Sequence, residues 1–448
     1  MHDSLSQSLR SWWKHGCCRA VAIVLVIAAP PDAHAQDFVT MADPRLLRAL
    51  QSVVLQTSPD LAAQRALVRA AEGRASAAGF APAAVLSAEM EDVPGGLDVA
   101  SGGFRVEIGR EFLTGSRSNA ERALAAPEVR SANVVLLGTE QRIAVRTMDY
   151  LAQVTSASLR AARLAAEDTL LVAAESAVQD RFAVGSASYV DVLRLRTERL
   201  RVQVERAQAL ADERVGLELL LGLAGDDNAS TVRALVDSAV VSSSSRAGDV
   251  VLPAAPAIDS LLGTSAQLRL AESAIDRALA ARELLVSEQR TRFAGSLGAQ
   301  RMESAGGGST FGPVLGFSMT LPFTARRANR SATDAADLEI AAARASQAST
   351  LAHVRSQLAA AHAEYEAARE RLAVFDVALL IGAQAEREGA LAAFGSGDMS
   401  LVELLDFERA LSRAEIDRLR SHADAATAYA DLISAANGES VNPREDTQ

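Results

Sequence analysis

The chain is 448 residues long, with 45 Lys or Arg against 56 Asp or Glu, two cysteines and six histidines. That length has room for two or three ordinary domains, and the acidic balance argues against nucleic acid as a partner. It is compatible with a passage for cations and equally with simple solubility.

Residues 1–35 carry Arg10, Lys14 and Arg19, then an apolar run from Ala20 to Ala29, then Ala33-His34-Ala35, a small-x-small cleavage pattern. The apolar run is too short to anchor a chain in a bilayer, so residues 1–35 are expected to be a cleaved secretory signal. Cleavage removes Cys17, Cys18, Trp12 and Trp13 and leaves 42 basic and 54 acidic residues, a net charge of about −12. No cysteine follows, so the mature chain has neither a disulfide nor a lipid-bearing cysteine. After the signal no run of 18 or more apolar residues occurs. That argues against a transmembrane helix but leaves membrane strands open.

From Pro44 to about Gly79 the alanine-rich sequence predicts helix, restarting at Ser58-Pro59 with serine as cap and proline in the first turn. The period then changes to two. Leu86, Ala88 and Met90 alternate with polar residues; after a loop holding Pro94, Gly95, Gly96, Gly102 and Gly103 the alternation resumes at Phe104, Val106 and Ile108. Each arm is about ten residues, the length a tilted strand needs to cross a bilayer. From Ser118 to Phe182 the pattern is helical, with Leu136, Ile143, Tyr150, Ala157, Leu164, Leu171 and Val178 at every seventh position. Such a helix runs roughly 95 Å, and its seven-residue repeat predicts a left-handed supercoil. Leu193, Thr197, Leu200, Val204, Ala207 and Ala211 predict the matching seam on a return helix.

Between Gly222 and Ser260 the composition shifts to Asp, Ser and Pro, with helical periodicity only near Val232 to Val241, which reads as a connector. The pattern then recurs. Helix from about Gln267 to Glu288 leads to alternation at Phe293 to Met302, a glycine loop at 306–310, and a strand with Phe311, Pro313, Leu315, Phe317, Met319 and Leu321 on one face. A long helix follows with Leu351, Leu358, Tyr365, Leu372 and Leu379 seven apart. With an offset of 212, Phe182, Gly185, Ser188, Val190, Asp191 and Leu193 fall on Phe394, Gly397, Ser400, Val402, Glu403 and Leu405. Both stretches read as turns of long helical hairpins. The division is then signal 1–35, first repeat 36–222, connector 223–262, second repeat 263–437 and a disordered polar tail 438–448.

Four strands per chain cannot close a barrel whose edges must be paired inside lipid, so oligomerisation is expected, and three chains would supply twelve strands. The two-fold repeat, the strand pairs and the tips at Phe182 to Leu193 and Phe394 to Leu405 resemble the TolC family of outer-membrane efflux ducts. The resemblance runs from about Pro44 to Ala436. Glu89 to Gly96 followed by Glu107 to Arg117 is similar to the first hairpin and strand exit of the heavy-metal, CzcC-like subgroup; the family usually has Lys or Arg after the glycine of this exit, a pattern that Ser116-Arg117 satisfies in part. The resemblance implies an α+β membrane protein: a homotrimeric twelve-stranded outer-membrane β-barrel continued by a long periplasmic α-helical coiled-coil barrel. It further implies a passive exit duct for metal cations or small toxic compounds. These would be delivered by an inner-membrane resistance-nodulation-division pump through a periplasmic adaptor, or membrane fusion, protein. The competing expectation is a soluble periplasmic coiled-coil adaptor or structural protein.

The family narrows at carboxylates just after the second tip, which here are Glu403 and Asp406, with Asp191 as the first-tip counterpart. Threefold symmetry would turn each into a ring of charge able to select cations. Acidic residues in the first helical turn are also favoured by the helix dipole, so the same residues have a purely structural reading. Gly185, Ser188, Gly397 and Ser400 are the implied adaptor-facing tip residues. Phe394 and Met399 stand where the family has a tyrosine and an arginine that latch the closed state, which turns attention to Asp398, Arg194 and Arg196. His353, His362 and His422 read as solvated helix histidines, not metal ligands, and no cofactor, catalytic motif or metal site is expected.

Overall fold

A computed structural model describes residues 43–91, 103–112, 115–246, 252–303, 309–320, 326–396 and 398–437. The signal at 1–35, the loops at 92–102 and 304–308, the strand exits at 113–114 and 321–325, Gly397 and the tail at 438–448 lie outside these residues.

Helix α1 (Pro44–Thr57) starts where Asp43 Oδ1 accepts from the Arg45 N–H at 2.9 Å, with Pro44 in the first turn. It buries Leu47, Leu50 and Val54 at spacings of three and four. Helix α2 (Pro59–Ala77) restarts at Ser58, but that side chain makes no capping bond. Ser58 is buried and its own N–H donates to Val54 O, so it closes the preceding helix instead. The chain leaves at Gly79 with φ +77°, donating its N–H to Glu121 and accepting from the Ser118 hydroxyl. A Cβ there would lie 2.7 Å from Ser118 O, so glycine is required on both counts.

Strands β1 (Val85–Glu91), β2 (Gly103–Phe112), β3 (Arg292–Glu303) and β4 (Ser309–Thr320) form one antiparallel sheet in that order. The register aligns Leu86, Ile108, Leu297 and Leu315 in one row, and Phe112, Phe293 and Met319 in another. Both rows lie on the same exposed face: Leu315 is 82% and Leu86 71% exposed. The opposite face carries Ser87, Glu89, Arg105, Glu107, Ser296 and Gln300, together with Val85 and Val314. The two sequence-distant hairpins therefore join along β2 and β3, and β1 and β4 are the two edges.

Helix α3 (Gly115–Ala183) has 69 residues, about 100 Å at ~1.5 Å per residue. Ile143, Ala157, Leu164, Leu171 and Val178 are buried as their spacing requires, while Leu136 and Tyr150 are half-buried. Helix α4 (Tyr189–Ala224) packs back along it, but not through the stripe the sequence suggested. Leu193, Thr197, Leu200, Val204, Ala207 and Ala211 are all exposed, Val204 by 70%. The buried set is Val192, Leu195, Val202, Ala209, Gly216, Leu220, Leu221 and Ala224. Two apolar stripes share this helix, and the inward one is marked by Gly216, where a Cβ would lie 2.7 Å from Val154 Cγ2.

A 3-10 turn (Asp226–Asn228) and helix α5 (Ala229–Arg246) follow. The helix outruns its apolar pattern because Ser242 and Ser243 donate to Ala239 O and Ser244 to Val241 O, so its serines are satisfied within it. The element order then repeats as α6 (Ile258–Thr264), α7 (Ala266–Glu288), β3, β4, α8 (Arg326–Val374), a π turn (Phe375–Leu379), α9 (Leu380–Ser396) and α10 (Leu401–Ala435). Helix α8 buries Val354, Leu358, Ala361, Tyr365, Ala368 and Leu372 in alternating steps of four and three. Tyr365 suits its core position because its hydroxyl donates to the Pro253 carbonyl at 2.7 Å. Leu351 and Leu379 are exposed, contrary to the seven-residue reading. For Leu379 the cause is the π turn, whose wider winding slips the phase after Leu372.

Candidate functional site

The two tips have one construction. At the first, α3 ends at Ala183, Gly185 turns with φ +77°, and Ser188 caps α4. Its hydroxyl accepts from the Val190 N–H at 3.1 Å, and its own N–H donates to Asp191 at 3.3 Å. Phe182 and Tyr189 close the turn with ring centroids 5.6 Å apart. At the second, Ser400 accepts from the Glu403 N–H at 3.3 Å and donates its N–H to the Glu403 carboxylate at 2.8 Å. The repeated Ser-x-x-Asp/Glu is thus a capping box at both places. The Ser400 contacts hold the Glu403 carboxyl below its usual range. Asp191 and Glu403 therefore serve helix starts within one chain, in line with the helix-start reading of first-turn acids, and the Ser-x-x-acid spacing is the sequence signal of the box itself.

Asp406 does something different. It accepts from Arg409 Nη1 at 2.9 Å, one turn on, and lies 3.5 Å from Arg194 Nη2 on α4. That pair ties the second tip to the first. Glu198 extends the link, 3.8 Å from Arg409 and 4.0 Å from Arg413, while also pairing with Arg201 at 3.2 Å. Of the side chains suspected of closing the end, Arg194 joins this cluster. Asp398 stays local, accepting from the Ser396 hydroxyl at 2.7 Å, and no contact of Arg196 links the tips among the described residues. No periodicity announces a pairing 212 residues apart.

Above the tips, helices α3 and α10 share a polar seam. Thr427 Oγ1 donates to Asp149 at 2.6 Å, Ser156 to Leu419 O at 2.7 Å and Ser412 to Glu167 at 2.5 Å, and Arg163 pairs with Glu415 at 2.5 Å. Burial raises the Asp149 and Glu167 carboxyls above their ordinary values. His422, expected to be solvated, is buried on α10; the inward turn of that helix overrides its polarity. At the far end Arg117 joins strand exit to helices, 3.0 Å from Glu111, 3.1 Å from Glu121 and 4.0 Å from Glu288. No helix among the described residues is long and apolar enough to cross a membrane, and none of their His, Cys, Asp and Glu side chains cluster as a metal site.

A four-stranded sheet with one largely apolar exposed face and two hairpins of very long helices make up a fold that recurs in solved structures. It is shared with a membrane protein from Pseudomonas aeruginosa at TM-score 0.69 and 16% identity, over 88% of this chain and 92% of that one. The outer-membrane channel OprN matches at TM-score 0.67 and 18% identity, over 89% and 91%. CusC, described with its transmembrane channel formation, matches at TM-score 0.67 and 14% identity, over 89% and 94%. No protein-family model and no curated protein sequence matches the chain.

Proposed function

We propose that this protein is the outer-membrane exit duct of a tripartite efflux system, working as a homotrimer whose twelve strands close in lipid. The observation that carries this is the sheet: most of its large apolar side chains share one exposed face, and most of its polar side chains share the other. Lipid suits the first face and water the second. Edges β1 and β4 need partners inside a bilayer, and neighbouring copies supply them in closed register.

The duct performs no chemistry. Cargo, metal cations or small toxic compounds, enters from a resistance-nodulation-division pump through a periplasmic adaptor that meets the tips at Gly185, Ser188, Gly397 and Ser400. Asp406, with Asp191 and Glu403 one helical turn or less from the tips, forms the gate. The Arg194 to Asp406 contact supports this, since parting the two hairpins must break it. Fractionation of the expressed protein tests the proposal. A trimer in the outer membrane that survives mild detergent is expected; a soluble periplasmic monomer would overturn the duct in favour of a coiled-coil spacer. Sensitivity of a deletion strain to a panel of metals and drugs then identifies the cargo.

A further inference from the structure

The polar face of the sheet holds an arrangement that gating at the tips does not use. Its central row runs Ser87, Glu107, Gly298, Val314, so a single charge stands at mid-height. Flanking rows run Glu89, Arg105, Gln300, Gly312 on one side and Val85, Gly109, Ser296, Gly316 on the other. In these three rows the charged side chains belong to β1 and β2, whereas β3 and β4 offer Ser296, Gln300, Val314 and glycines beside them. Glu107 is folded into that trough. Ser296 Oγ donates to its Oε2 at 3.0 Å, and the Arg105 guanidinium stands 3.7 Å from its Oε1. Arg105 also donates to Gln300 at 3.2 Å and lies 3.9 Å from Glu89. A Cβ at Gly298 would lie 2.6 Å from Glu107 Cγ and collide with Val106 O, and one at Gly316 would collide with Ser296 Oγ. Each glycine keeps open the space that the folded carboxylate or its donor occupies.

We infer that Glu107, held across the β2–β3 junction by Ser296 and Arg105, is a permeation-determining residue whose pinning keeps a mid-height carboxylate against the wall of the passage. The inference rests on the polar face lining the passage. A carboxylate held against a guanidinium by a hydroxyl presents little field to passing ions; freed from the hydroxyl, it can leave the guanidinium and extend into the stream, where its charge is less compensated. Threefold assembly multiplies the effect by three.

The test is the reversal potential and unitary conductance of the purified oligomer in planar bilayers under a KCl gradient. Ser296→Ala should raise the cation-to-anion permeability ratio about twofold and lower conductance, and Ser296→Thr, which keeps the hydroxyl, should not. In the Glu107→Gln background Ser296→Ala should have no further effect. An unchanged ratio in Ser296→Ala, or a shift that persists without Glu107, overturns the inference. If Ser296→Ala does not assemble, Ser296→Gly removes the same hydroxyl without changing any charge and is read against the same outcomes. Absence of channels from the wild-type protein would instead overturn the duct itself.

Discussion

At the scale of single residues, carboxylates set in opposite surroundings respond to pH with opposite sign. Asp149 is 2% exposed and its carboxyl is raised from 3.8 chiefly by burial, against the hydrogen bonds from Thr427 and Gln153. The folded chain thus holds a proton over an interval in which the unfolded chain has released it. Stability is fully present below the ordinary value and falls as pH rises through the raised one. Asp149→Asn keeps an acceptor for Thr427 and removes the buried charge; thermal unfolding at pH 7 should move upward and lose that pH dependence. A lower midpoint would mean the charge is needed. Glu403 behaves conversely, since its capping contacts favour the ionised form and are lost as pH falls through the lowered value. Ser400→Ala removes the acceptor for the Glu403 N–H and should cost about 1 kcal/mol in urea unfolding.

At the scale of elements, helix α4 shows why a seven-residue repeat is ambiguous. Leu195 with Val202, Ala209 and Gly216 is one heptad stripe; Leu193 with Leu200 and Ala207 is another, two residues out of step. Both satisfy the same spacing, and only packing against α3 selects between them. Leu195→Ala should therefore cost about 2–5 kcal/mol in the dissociated chain, while Leu200→Ala should stay within about 0.5 kcal/mol. Equal costs would refute the burial assignment. Gly216 marks the chosen stripe, because only a residue without Cβ admits Val154 at that crossing. The π turn at Phe375–Leu379 is a comparable case, where one wider turn carries Leu379 out of a seam that its spacing fits.

At the scale of the whole molecule, the two hairpins meet at the tips through Asp406 and Arg194, and the two strand pairs meet through β2 and β3. Breaking the first junction should affect the gate. In planar bilayers Glu403→Ala with Asp406→Ala is expected to lower cation preference and relieve divalent block. Unchanged selectivity and block would remove these carboxylates from the gate. Arg194 and Asp406 are half exposed, so their attraction is weak and salt-sensitive.

The sequence by itself determined the local and periodic features: the doubled order of helix pair, strand pair and long hairpin, the strand faces, and the tips with their glycine and Ser-x-x-acid starts. Those follow from side-chain period and backbone preference, which act over a few residues. Only the tertiary structure decided which stripe of α4 turns inward, where Asp149 and Glu167 find their hydroxyl partners, that Arg194 reaches Asp406, and that Glu107 lies in a glycine trough on β3. Each of these depends on residues tens to hundreds of positions apart, brought together by packing whose choice no single segment encodes.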